Sequence, residues 1–183
     1  VPETPLLTGS AATVAAPGSI YSYAVDPSLA APTATPFFDA GGVWQGIQVV
    51  ASPGVPASPA QAFVGFGVPV FGCVDASAYR GIAFDVTGDL GTCALSLMVV
   101  ARNDNAVAYG GACTATACFG PTSAALAVGH SVVQFTDLAG GSPNPTLDAT
   151  QINDISWQLA VPADGVTPPC AAKFSVQNIA FAP

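Results

Sequence analysis

Positive charge is what this sequence most conspicuously lacks. Its 183 residues carry three basic side chains, Arg80, Arg102 and Lys173, against eleven Asp and Glu, a formal net charge of −8. Nucleic acid is bound by clustered cations that displace counterions from phosphates, and three scattered ones cannot do this. Anionic membrane surfaces are excluded for the same reason. Histidine is reduced to His130, set in AVGHSVV. A catalytic triad needs a base held by an orienting group, and no G-x-S-x-G elbow accompanies this one, so His130 reads as a surface or turn residue. No apolar run approaches the ~20 residues that span a bilayer, so membrane insertion is not expected. No basic segment followed by an apolar core opens the chain at Val1, which reads as a mature product whose signal has been removed. Helical periodicity is also missing: the longest helix-like stretch, TSAALAVGH, is short and broken by glycine.

What is present is apolar and punctuated. Hydrophobic residues make up 51% of the chain and charged ones 8%, the reverse of a disordered composition. Seventeen prolines and nineteen glycines are spread throughout, as suits a sandwich with many loops. Strand signals fall at residues 20–25, 42–50, 63–71, 79–86, 93–101, 131–135, 155–161 and 174–181. That is about eight strands separated by turn-rich segments. Residues 26–42 and 51–62 read as Pro- and Ala-rich connections and 102–130 as a long loop. The pattern predicts an all-β fold, a jelly-roll sandwich of two antiparallel sheets. Residues 1–19 form an extended arm, with Leu6 and Leu7 as a first edge strand, and 20–183 form one domain.

Five cysteines, Cys73, Cys93, Cys113, Cys118 and Cys170, argue for disulfides in an oxidising, extracellular compartment. Zinc would want paired C-x-x-C spacings or several histidines. Cys113 and Cys118 are expected to close a short loop, and Cys93 to pair with Cys170, tying an inner strand to the last one. The odd count leaves Cys73 over.

Three segments resemble carbohydrate-binding-module-like jelly rolls of the galactose-binding-domain type, common in secreted bacterial proteins. Asp75, Ser77, Tyr79, Gly81, Ile82 and Phe84 match a D-x-S-x-Y-x-G-I-x-F strand. Asp148, Ile152, Ile155 and Trp157 match D-x-x-x-I-x-x-I-x-W. SVQNIAF matches a final V-x-D-I-x-F strand with Asn178 in place of Asp. The resemblance covers roughly residues 60–183 and implies a secreted glycan-binding domain, with a structural Ca²⁺ as a further implication. RNDN at residues 102–105 and the loop around Asp148 are the oxygen-rich candidates for that ion.

Glycan recognition needs an apolar platform and polar groups for hydroxyls. Trp44, Trp157, Tyr109, Tyr21 and Tyr23 are the available aromatics. Trp44, flanked by glycines, is expected at the surface. Trp157 shares parity with Ile155 and Leu159, which favours the core. Gln134, Thr136, Ser156 and Gln158 alternate outward on the late strands. The candidate ligand residues are therefore Trp44, Arg102, Asp104, Tyr109, Gln134, Trp157 and Gln158. Most acids fall in turns, which leaves paired-carboxylate catalysis without support; Asp85, on a strand, is expected to face solvent. A non-catalytic, polysaccharide-binding module is the first reading. The alternative is a subunit of an extracellular filament, sheath or surface layer, its partner another copy of itself, joined by strand addition through the N-terminal arm. Low charge and a mean hydropathy of +0.54 favour that alternative.

Overall fold

The computed structural model describes residues 4–5, 20–164 and 166–183. Among the described residues, ten strands form two antiparallel sheets: β1 Thr4–Pro5, β2 Tyr21–Ala24, β3 Thr33–Phe38, β4 Trp44–Ala51, β5 Phe63–Val74, β6 Gly81–Asp89, β7 Ala94–Ala101, β8 Gly129–Gln134, β9 Ile152–Ala160 and β10 Ala172–Ala182. The first sheet runs β3-β4-β10-β6-β8, with β1 also paired to β10, and the second runs β2-β5-β9-β7. This is the all-β jelly-roll sandwich that the strand pattern predicts.

Alternation builds the core. Ile82, Phe84 and Val86 of β6 and Phe174 and Val176 of β10 face inward from the first sheet, while Val64 and Phe66 of β5, Leu95 and Leu97 of β7 and Trp157 and Leu159 of β9 face them from the second. Four aromatic rings lock the layers together. Trp157 stacks on Phe66 with centroids 5.6 Å apart and meets the edge of Phe84 at 5.5 Å, and Phe66 reaches Phe174 at 5.9 Å. Such pairs add to the area they bury.

Most residues of the resemblance are architectural. Asp75 accepts the Ser77 amide at 2.9 Å to make a turn, Tyr79 stacks on Phe181 at 5.2 Å, and Ile82, Phe84, Ile152 and Trp157 are core. Two disulfides are present. Cys93–Cys170 joins the chain just before β7 to the chain just before β10, and so staples one sheet to the other, with Cα atoms 5.1 Å apart. Cys113–Cys118 closes a short loop with Cα atoms 6.0 Å apart. Cys73 is free, half-buried and in the left-handed region at φ 60°.

Two stretches read as connections are more ordered than that. Residues 33–38 form β3, paired antiparallel with β4 from Thr33↔Val50 to Phe38↔Trp44. Pro36 hides this strand in the sequence, yet β3 lies at the edge of its sheet, where a missing amide is tolerated. Within 102–130, the backbone at Pro121, Ser123 and Leu126 pairs with Val99, Leu97 and Leu95, and so covers the outer edge of β7. An edge strand is thereby shielded. Of the N-terminal arm, Thr4 and Pro5 pair with Phe181 and Ala180 of the same chain. Leu6 and Leu7 lie outside the described residues.

Candidate functional site

The outward face of the second sheet begins at its edge with β2. Tyr21 and Tyr23 are two residues apart and so point to the same side. They stand opposite Gly67 and Gly65 of β5. With no side chain at either glycine, both phenols lie down across β5. A Cβ at Gly65 would come within 2.5 Å of the Tyr23 ring carbon Cζ, and one at Gly67 within 2.5 Å of the Tyr21 hydroxyl. The two rings are 6.0 Å apart and inclined by only 27°. Both are partly exposed. Laid side by side on glycine backbone, the two rings make a nearly flat, partly exposed aromatic surface.

Across β5 the rings reach β9 and β7. One row runs Tyr21, Gly67, Ser156, Met98 and the next runs Tyr23, Gly65, Gln158, Ser96. The Tyr21 hydroxyl donates to Asp154 Oδ2. Gln158 Nε2 approaches Met98 Sδ at 3.6 Å. The Tyr23 hydroxyl, Asp154 Oδ1 and Ser156 Oγ are buried without a hydrogen-bond partner. Burial pushes the Asp154 carboxyl up to about 7, against the hydrogen bond from Tyr21 that favours its charge. Burial first and the charge of Asp154 second raise Tyr21, while burial brings Tyr23 to about 12. Both phenols are therefore neutral hydroxyls at any physiological pH.

The seven candidate ligand residues scatter. Gln158 lies in the second row, beside the Tyr23 phenol. Arg102 and Tyr109 sit on the loop that continues β7, and Tyr109 is 79% exposed. Gln134 lies on β8 of the other sheet, so it does not share a face with Gln158. Trp44 is not a free surface aromatic: it begins β4 and packs partly buried against the core. Trp157 is wholly buried among Phe66 and Phe84, where no ligand reaches it. Asp104 is 1% exposed and accepts both the Asn144 amide, at 3.3 Å, and its Nδ2, at 2.7 Å. Tyr21 and Tyr23, available aromatics outside that set of seven, are the ones brought together on this face. The signal for them was a Y-x-Y strand together with the G-x-G of FVGFGV, whose pairing the sequence does not display.

The Ca²⁺ implied by the resemblance finds little to hold it. Asp148 Oδ1 is committed to Thr150, through its amide at 3.0 Å and its hydroxyl at 2.6 Å. Asp104 offers one unpartnered oxygen, Oδ2. Among the described residues no three His, Cys, Asp or Glu side chains converge on one point. Calcium takes 6–8 oxygens, and these side chains do not assemble such a cage.

No protein-family model matches the sequence, and no curated protein is significantly similar to it. Solved structures do match. A family 11 carbohydrate-binding module from Clostridium thermocellum, in complex with a β-1,3-1,4-mixed-linked tetrasaccharide, superposes with a TM-score of 0.59 at 14% identity, covering 93% of this chain and 94% of that one. The family 11 module of a cellulosomal cellulase of the same organism gives a TM-score of 0.60 at 15% identity over 100% and 95% of the two chains. An exo-β-agarase matches with a TM-score of 0.50 at 13% identity, over 98% of this chain and 25% of its own. The fold is a jelly roll similar to that of these family 11 modules.

Proposed function

We propose that this domain is a non-catalytic, secreted module that binds a neutral polysaccharide on the outward face of the second sheet. The observation that carries the reading is the pair of tyrosine rings laid side by side over Gly65 and Gly67. Sugar rings present C–H faces to flat aromatic surfaces and hydroxyls to the polar groups around them. Here those groups are the Gln158 amide and the Ser96 hydroxyl, both partly exposed. A net charge of −8 with three cations disfavours uronate or sulfated chains and leaves neutral glycans. The mixed-linked glucan held by the structurally similar module makes a natural first probe. Two disulfides fit an extracellular setting.

Affinity electrophoresis through gels containing mixed-linked β-glucan, agarose or polygalacturonate tests this. The neutral polysaccharides are expected to retard the domain, and Tyr21→Ala or Tyr23→Ala to restore its mobility. Retardation only by the anionic polymer, or retardation unaffected by both substitutions, would overturn the reading.

A further inference from the structure

We propose that the outward face of the first sheet carries a second neutral-sugar site, built from Phe37, Gln177, Asn178, Asp85 and His130. It shares with the function proposed above only the class of ligand. Strand register sets Phe37, Gly46, Gln177, Asp85 and His130 in one row across five strands. At about 4.8 Å per strand the row spans roughly 19 Å, long enough for a short oligosaccharide.

The row repeats, with different residues, the design of the tyrosine face. Phe37 stands opposite a glycine, and a Cβ at Gly46 would approach its ring carbon Cε1 to 3.0 Å. The ring thus leans over bare backbone at one end of the row. At the other end Asp85 acts as a clamp. Its Oδ1 meets His130 Nδ1 at 2.8 Å and its Oδ2 accepts from Asn178 Nδ2 at 2.6 Å. Both carboxylate oxygens are therefore engaged, and the imidazole and the amide are fixed in orientation. His130 Nε2 and Asn178 Oδ1 remain for a ligand. The His130 side chain is 58% exposed and that of Asp85 30%. Gln177 is held the same way, donating to Thr87 Oγ1 at 3.1 Å.

The backbone is shaped to this end. Asn178 lies in the left-handed region at φ 52°, inside a bulge of β10 where the register shifts between Gln177 and Ala180. Bulges re-aim side chains, and a non-glycine residue in this region is held there by its surroundings. An exposed His–Asp pair adds little to stability. The side chain that the bulge turns outward is the amide that completes the clamp. Groups held this way before a ligand arrives lose little freedom on binding it.

With one site on each outward face, the domain would bridge two glycan chains, or two turns of one chain, and gain avidity on a polymer. The test is a two-dimensional amide NMR titration of the whole chain with mixed-linked β-glucan tetrasaccharide and with an agarose-derived tetrasaccharide. Two separate groups of resonances are expected to shift: one at Tyr21, Gly65 and Gln158, the other at Phe37, Gly46 and Asn178. Phe37→Ala and His130→Ala should each weaken the second group's apparent affinity at least tenfold and leave the first unchanged. Asn178→Gly keeps the backbone conformation, and should do the same. Shifts confined to the tyrosine group would overturn the second site and leave the platform standing. Shifts confined to the Phe37 group would overturn the platform and keep the second site. Shifts at neither would overturn both.

Discussion

A tyrosine ring lies flat on a sheet only where the strand beside it has no side chain in the way. Gly65 and Gly67 meet that condition for Tyr23 and Tyr21, which is why these residues, rather than the tryptophans, form the exposed aromatic surface. The tryptophans follow from the same reasoning. Trp157 was legible as core from its parity with Ile155 and Leu159, and its removal should show it. Trp157→Ala is expected to cost about 3–5 kcal/mol in chemical denaturation, the usual range for truncating a large buried aromatic. Asp154 gives the molecule a pH signature. Its carboxyl rises from 3.8 to about 7 on folding, so between those values the native state holds a proton that the unfolded chain has released. Stability should then fall as pH climbs through this window, by up to about 4 kcal/mol at about 1.4 per pH unit. Asp26, whose carboxylate accepts four hydrogen bonds from Ser28, Ala57 and Ser58, is held below the ordinary value and works in the opposite sense. Its contribution is lost as pH falls through the acid range. Thermal melts should therefore peak in mildly acidic buffer, and Asp154→Asn should flatten the decline toward pH 8. A melt that rises steadily from pH 5 to 8 in the wild type would contradict this.

At the scale of elements, the strands with clean alternation were readable and the composite ones were not. The strands β6, β7, β9 and β10 carry apolar residues at alternate positions that meet in the core. β3 escaped because Pro36 and its Ala- and Thr-rich setting look like a connection, a reading that an edge position overrules. The site escaped for a related reason. Gln134 and Gln158 both alternate outward, but nothing in one sequence says that β8 and β9 belong to different sheets. Likewise Asp85, His130 and Asn178 were each unremarkable alone, and only strand pairing brings them to one point. The glycine pair offers a test that removes no aromatic. Gly65→Ala puts a methyl where the Tyr23 ring now lies, so it should lift the ring, leave the circular dichroism spectrum intact and weaken glycan affinity at least fivefold. Unchanged affinity with the fold preserved would mean that the ring's posture is irrelevant to binding.

At the scale of the whole molecule, the two disulfides should differ in what they contribute. Cys93–Cys170 spans 77 residues of sequence and ties the sheets together, whereas Cys113–Cys118 spans 5. Loop-closure entropy assigns the long bridge about 4–5 kcal/mol and the short one about 2. Replacing Cys93 and Cys170 by serine should therefore lower the melting temperature well beyond what the same change at Cys113 and Cys118 does. The proposed role, lying against a neutral polymer, is decided by a direct quantity. Isothermal titration of the whole chain with soluble mixed-linked β-glucan and with agarose oligosaccharides should give saturable binding. The Tyr21→Ala/Tyr23→Ala double variant, folded by circular dichroism, should lose at least tenfold in affinity for the tyrosine-face site. Equal affinity in the wild type and the folded double variant would contradict the claim that these rings are the binding surface.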